Sequence, residues 1–102
     1  MQMSTLEKRT LGKSQLEVTR LGIGLWAAGG DQWGPTDDRE SLNAIDAALQ
    51  AGINFFDTAD VYSDGRSEEL LGRAMKGRRD RFIVATKIGW LNYDGERGRT
   101  AY

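Results

Sequence analysis

Cysteine is missing from this sequence, which excludes a disulfide framework and any thiolate metal site. Its absence fits a reducing compartment, and a cytoplasmic protein is the expectation. Histidine is missing as well, so no imidazole is available for acid–base chemistry, and no metal is expected. An excess of one charge is also lacking. The 14 basic and 15 acidic residues leave a net charge of −1, which marks neither a nucleic-acid nor a membrane-surface binder. No apolar run approaches the roughly 20 residues a membrane span requires. Residues 1–9 contain no apolar core of a secretory signal. Proline occurs once, at Pro35.

What remains is a chain of 102 residues, 39% of them hydrophobic. That suffices for one domain with a core and argues against disorder. Lys8–Leu11 and Leu16–Thr19 flank the turn residues Gly12-Lys13-Ser14 and predict a hairpin. A hairpin is marginal alone and must lean on something larger. Leu21–Trp26 predicts a short strand with two glycines, followed by a breaker-rich loop through Pro35. Asp37 or Asp38 can cap a first helix, whose Leu42, Ile45, Ala48 and Leu49 recur at helical spacing. Gly52 stands where a left-handed terminator is wanted.

A central strand is predicted over 53–58, ending in Asp57, with Tyr62 five residues further in the loop. Ser67 is the predicted cap of a second helix, with Glu68 and Glu69 at its positive end and Gly77 closing it. Phe82–Lys87 is the third strand, and residues 88–102 read as loop. A β-α-β-α-β order implies a parallel sheet with right-handed crossovers.

Alternation along the strands places Ile53, Phe55 and Asp57 on one face, and Ile83, Ala85 and Lys87 with them. Phe56, Phe82 and Val84 then face the helices. One carboxylate and one ammonium thus arrive at the C-terminal ends of neighbouring strands, at the same expected height. Ligand sites of parallel α/β sheets lie at such ends. Pairing Asp57 with Lys87 offsets the cost of removing either charge from water. A cation beside Tyr62 favours its phenolate, and a phenol tuned that way donates a proton near neutral pH. Each residue also has a structural reading. Asp57 can cap a turn, Tyr62 can be a packed loop aromatic, and Lys87 can be a surface lysine with a buried stem.

Gly22-Ile23-Gly24-Leu25-Trp26-Ala27 matches a dinucleotide phosphate fingerprint. Its glycines fall within the strand and no helix follows at once, so that reading fails on context. Trp26 and Trp33 serve either as filler or, for Trp26, as a surface against a ligand.

The stretch Gly52–Gly72, together with Arg20–Trp26 and Val84–Lys87, closely resembles the signature of the aldo-keto reductases. The resemblance runs from about Arg9 to Lys87. It implies a (β/α)8 barrel closed at its bottom by the hairpin, and NADPH-dependent reduction of an aldehyde or ketone. It implies Tyr62 as the general acid, Lys87 as the cation that tunes it, and Asp57 as the partner of Lys87. Gly24, Leu25, Trp26 and Asp57 correspond to the segment beside the cofactor. Trp26 and Trp90, and by position Tyr93, correspond to the substrate mouth. The family's tetrad includes a histidine after the next strand, which this chain lacks. A barrel takes about 250 residues, so residues 1–102 are expected to be one partial domain, an N-terminal fragment inactive by itself. A potassium-channel β-subunit, which resembles the same family, is the alternative, as is a fragment without function.

Overall fold

The computed structural model describes residues 6–26 and 37–89. The predicted loop from Ala27 through Pro35, the tail after Gly89, and with them Trp33, Trp90 and Tyr93, lie outside the described residues. Strands β1 (Lys8–Thr10) and β2 (Glu17–Thr19) form the predicted antiparallel hairpin, Lys8 opposite Thr19. The Ser14 hydroxyl closes its turn by donating to the Leu11 carbonyl at 2.6 Å. Strands β3 (Ile23–Gly24), β4 (Phe55–Asp57) and β5 (Ile83–Ala85) form a parallel sheet with β4 in the middle. Helices α1 (Asp38–Gln50) and α2 (Arg66–Met75) are its crossovers.

The regular strands are shorter than the sequence predicts, yet single bonds extend the pairing at both ends. Ile83 N–H donates to the Asn54 carbonyl at 2.7 Å, Leu25 N–H to Asp57 at 2.9 Å, and Thr58 N–H to Ala85 at 2.8 Å.

The register puts Ile23, Phe56 and Val84 side by side, and Gly24, Asp57 and Ala85 side by side. Successive strand residues face opposite ways, so the first row meets the helices and the second faces away. Phe56, wholly buried, is the centre of the helix-side core. Around it lie Ile45, Leu49, Leu70, Leu71 and Phe82, whose ring centroid is 4.9 Å from that of Phe56.

Asp37 caps α1, its carboxylate accepting from Arg39 N–H at 2.9 Å. At the other end Gly52 N–H donates to Leu49 and Ile53 N–H to Ala48, both at 3.0 Å, with Gly52 at φ +99°. This pair of bonds around a left-handed glycine is a Schellman motif, whose next residue packs back on its helix. That corrects one expectation: Ile53 belongs to the helix-side core, not to the face of Asp57. The cap of α2 also differs. Gly65, at φ +96°, precedes the helix, and Ser67 lies inside the first turn with its hydroxyl turned away from the helix end.

Asn54 fastens the hairpin to the sheet. Its side chain accepts from Thr19 N–H at 2.9 Å and donates to the Glu17 carbonyl at 2.9 Å, while its own N–H reaches the Thr19 hydroxyl at 3.2 Å. These contacts lie at the N-terminal end of β4, opposite to the end carrying Asp57. Among the described residues, no helix is long and apolar enough to cross a membrane.

Candidate active site

The C-terminal ends of β4 and β5 meet at one ammonium group. Lys87 Nζ donates to the Thr58 carbonyl at 2.8 Å and lies 3.3 Å from each carboxylate oxygen of Asp57. It is also 3.3 Å from the Tyr62 hydroxyl and 4.9 Å from the centre of that ring. The three residues singled out from sequence are therefore together. One detail differs: the residue level with Asp57 is Ala85, not Lys87. Lys87 stands two positions further along the chain, and its long side chain bends back over the strand ends.

Tyr62 reaches this place through a tight loop. The 3-10 turn Tyr62–Gly65 holds two left-handed non-glycine residues, Ser63 at φ 51° and Asp64 at φ 54°, before left-handed Gly65. Such a conformation costs an L-residue about 1–2 kcal/mol. Three in succession turn the chain from β4 into α2 directly behind the phenol, and backbone strain of this kind concentrates at functional sites.

The ammonium responds to its surroundings in two opposing ways. Partial loss of hydration weakens its hold on the proton. The hydrogen bonds to Tyr62 and Asp57, and their charge, act in the other direction and prevail, so the Lys87 pKa is raised above its ordinary 10.5. The side chains of Lys87 and Asp57 are 52% and 47% exposed. An ion pair that open to water contributes only about 0.2–1 kcal/mol. The cluster is thus assembled without being enclosed.

Gly24 lies beside Asp57 in the register, and a Cβ placed on it would meet no atom of the described residues within 4 Å. Gly22 is the opposite case, since a Cβ there would stand 3.0 Å from the Phe55 ring and 3.2 Å from its carbonyl. Gly22 is needed for packing, whereas among the described residues Gly24 leaves room above the strand ends, next to the Asp57 carboxylate. A flat polar ring fits such room, so the residues present are compatible with a nicotinamide group. Leu25 turns its side chain into the core and engages its N–H with Asp57. Trp26 is 45% exposed, and its ring centroid is 6.5 Å from that of Tyr62, tilted by 40°. Trp90, the other expected mouth residue, lies outside the described residues.

Sequence reasoning missed two polar residues. Ser67, wholly buried, donates to the Leu25 carbonyl at 2.8 Å and pairs with the Thr58 hydroxyl at 2.7 Å. Asn54 anchors the hairpin as described. Neither stood out because serine before acidic residues reads as a cap, and a single asparagine inside the predicted strand 53–58 gives no sign of a partner 35 residues away.

Comparison with known proteins shows the family and the fold. Residues 20–101 match the aldo/keto reductase family. The chain is 44% identical over 91 residues to the aldo-keto reductase YhdN of Bacillus subtilis, covering 85% of this chain and 28% of that protein. It is 40% identical over 88 residues to a probable voltage-gated potassium channel subunit beta of Oryza sativa, covering 83% of this chain and 26% of that one. Among solved structures it resembles the holo form of aldo-keto reductase AKR11C1 from Bacillus halodurans. The TM-score is 0.78 at 40% identity, over 92% of this chain and 30% of that chain. An aldo-keto reductase from Klebsiella pneumoniae in complex with NADPH gives a TM-score of 0.66 at 29% identity, over 89% of this chain and 30% of that chain. The chain therefore spans under a third of the length of these relatives, and its fold is that of part of an aldo-keto reductase TIM barrel.

Proposed function

Because this chain belongs to the aldo/keto reductase family, we propose that it carries the proton-donating part of a carbonyl reductase. Its reaction is the NADPH-dependent conversion of a small aldehyde or ketone to an alcohol. The observation that carries the reading is the single ammonium of Lys87 within 3.3 Å of both the Tyr62 hydroxyl and the Asp57 carboxylate. In this reading, residues 1–102 contribute the hairpin and first three strands of one barrel domain in a cytoplasmic protein.

Tyr62 donates its phenolic proton to the substrate oxygen as negative charge develops there. The phenol oxygen is left anionic, and the Lys87 ammonium beside it stabilises that charge. Asp57 and the Thr58 carbonyl hold the ammonium in place, so no reorganisation is required at the moment of transfer. Gly24, Leu25 and Trp26, with Asp57, would hold the cofactor, which when bound would supply the hydride. Trp26 lines the substrate mouth. A polarised carbonyl group is the one substrate feature this arrangement requires.

The test replaces the matching segment of the Bacillus subtilis relative with this chain, giving a segment-swapped reductase. Tyr62→Phe in that protein should abolish most carbonyl reduction while NADPH binding, read by cofactor fluorescence, persists. Equal loss of both, or loss of neither, would sink the acid role. A second reading, a cofactor-binding channel subunit, is favoured by the likeness to the Oryza sativa protein. Binding to a channel domain with negligible turnover would support it over the enzyme.

A further inference from the structure

Glu68 lies in the first turn of α2, where its charge suits the positive end of the helix. Its carboxylate has a second task. It accepts a bond from the Thr86 hydroxyl at 2.6 Å, 18 residues further along the chain. A carboxylate only accepts, so the proton is that of Thr86. The length is that of a charge-assisted bond, roughly twice as strong as a neutral one.

Thr86 directly precedes Lys87 and stands one step beyond Ala85, the last regular residue of β5. Successive side chains leave an extended chain on opposite faces. Thr86 accordingly lies on the helix side, where it and Glu68 line one hollow with Leu71 and Val84. Lys87 reaches the other way, over the strand ends to Asp57 and Tyr62. Asp60 N–H on the Lys87 carbonyl fastens this stretch to the β4 side, and at 3.3 Å that bond is long.

The ammonium has little slack. It is 3.3 Å from the Tyr62 hydroxyl and from each Asp57 oxygen, just past the usual range of about 2.7–3.2 Å. A small retreat of the strand end would break these contacts, while the 2.8 Å bond to the Thr58 carbonyl would survive it. We propose that Glu68 is a positioning residue, which pins the end of β5 through the Thr86 hydroxyl and so holds Lys87 within reach of Tyr62 and Asp57. The inference rests on Lys87 acting with Tyr62 in carbonyl reduction.

Two consequences separate this role from a merely structural one. Thr86 is exposed, so loss of its bond should cost little stability. Burial lowers the Lys87 pKa, and the bonds to Tyr62 and Asp57 outweigh it and raise the value above 10.5. Lengthening those bonds should let it fall.

The test measures kcat and KM for 4-nitrobenzaldehyde in the segment-swapped reductase, the titration midpoint of the Lys87 ε-carbon, and Tm. Thr86→Val removes the hydroxyl without changing charge. It should lower kcat about tenfold, leave KM near its starting value, and lower the Lys87 midpoint with little change in Tm. Thr86→Ser, which keeps the hydroxyl, should restore kcat and the midpoint. Glu68→Ala should lower both as Thr86→Val does. Glu69→Ala removes the same charge from the same helical turn without touching Thr86, and should leave both near their starting values. The proposal is overturned if Thr86→Val leaves the Lys87 midpoint unchanged, whatever happens to kcat. It is equally overturned if Thr86→Ser fails to restore the midpoint, or if Glu69→Ala lowers it as much as Glu68→Ala. Should Thr86→Val not fold, Thr86→Ala replaces it, with the same result expected and the same result fatal. Tyr62→Phe separates the two levels. If it spares turnover, the catalytic reading fails, while the Lys87 midpoint still decides the role of Glu68. If it abolishes turnover and Thr86→Val moves neither kcat nor the midpoint, only the role of Glu68 fails.

Discussion

Asn54→Ala should detach the hairpin while leaving the Lys87 cluster intact. The side chain makes two bonds, one to Thr19 N–H and one to the Glu17 carbonyl, each at 2.9 Å. Each neutral bond contributes about 0.5–1.5 kcal/mol, and the more exposed one belongs at the low end. Thr19 is only 2% exposed, so its N–H loses its partner where water enters poorly, and this adds about another 1 kcal/mol. The sum is about 2–3 kcal/mol. For a domain of this size that corresponds to a fall in Tm of roughly 10–20 °C. Asn54→Asp keeps the acceptor for Thr19 but sets a carboxylate against the Glu17 carbonyl, so it should fall between wild type and Asn54→Ala. Thermal unfolding by circular dichroism gives the stability. Amide hydrogen exchange of Arg9 and Val18, inside the hairpin, reports whether the loss is local. A cost below about 0.5 kcal/mol, or faster exchange at Asp57 and Thr58 than in the hairpin, would refute the view of Asn54 as the hairpin's anchor.

Three further outcomes follow from the same geometry. The Lys87 pKa is raised, so its contribution to stability is complete below the unfolded value of 10.5 and is lost as pH rises through the higher folded value. The titration of its labelled ε-carbon should therefore have a midpoint above 10.5, and Asp57→Asn should lower it; an unmoved midpoint would show that the carboxylate is not its partner. Gly22→Ala should cost about 1–3 kcal/mol by pressing on Phe55, whereas Gly24→Ala should leave Tm nearly unchanged and weaken NADPH binding in the segment-swapped reductase. The 102-residue chain by itself should show little or no carbonyl turnover and should self-associate. The edges of β3 and β5 carry no strand partner among the described residues, and sedimentation velocity with an NADPH-oxidation assay checks both points.

Much of the fold could be read because local signals agreed with one another. Asp37 and Gly52 bracket α1, and a stripe of helical period lies between them. Phe55-Phe56-Asp57 and Ile83-Val84-Ala85 are short apolar runs that only a two-sided sheet can bury. The clustering of Asp57, Tyr62 and Lys87 was legible because the strand order carries a carboxylate and an ammonium to neighbouring strand ends, although both stay about half exposed and the shortest contact of the ammonium is the Thr58 carbonyl.

The misreadings arose where one residue type serves two purposes. Ser67 looks like a cap because serine before Glu68-Glu69 usually is one, but its hydroxyl answers the Leu25 carbonyl, 42 residues away. Ile53 looks like part of the Asp57 face under strict alternation. The Schellman turn at Gly52 changes the phase before β4 begins. Gly22 and Gly24 look alike in sequence, and only the position of Phe55 separates a packing glycine from one that leaves open space. Lys87 and Asp57 are not level in the register, and only the reach of the lysine side chain brings them together.

The central claim is that Tyr62 and Lys87 act as one unit, with the ammonium stabilising the charge that proton donation leaves on the phenol. A double-mutant cycle on kcat in the segment-swapped reductase tests it most directly. Tyr62→Phe and Lys87→Met should each remove most of the rate, and combining them should cost little more than either alone. Losses that simply multiply would mean that the two side chains work independently, and the shared site would have to be abandoned.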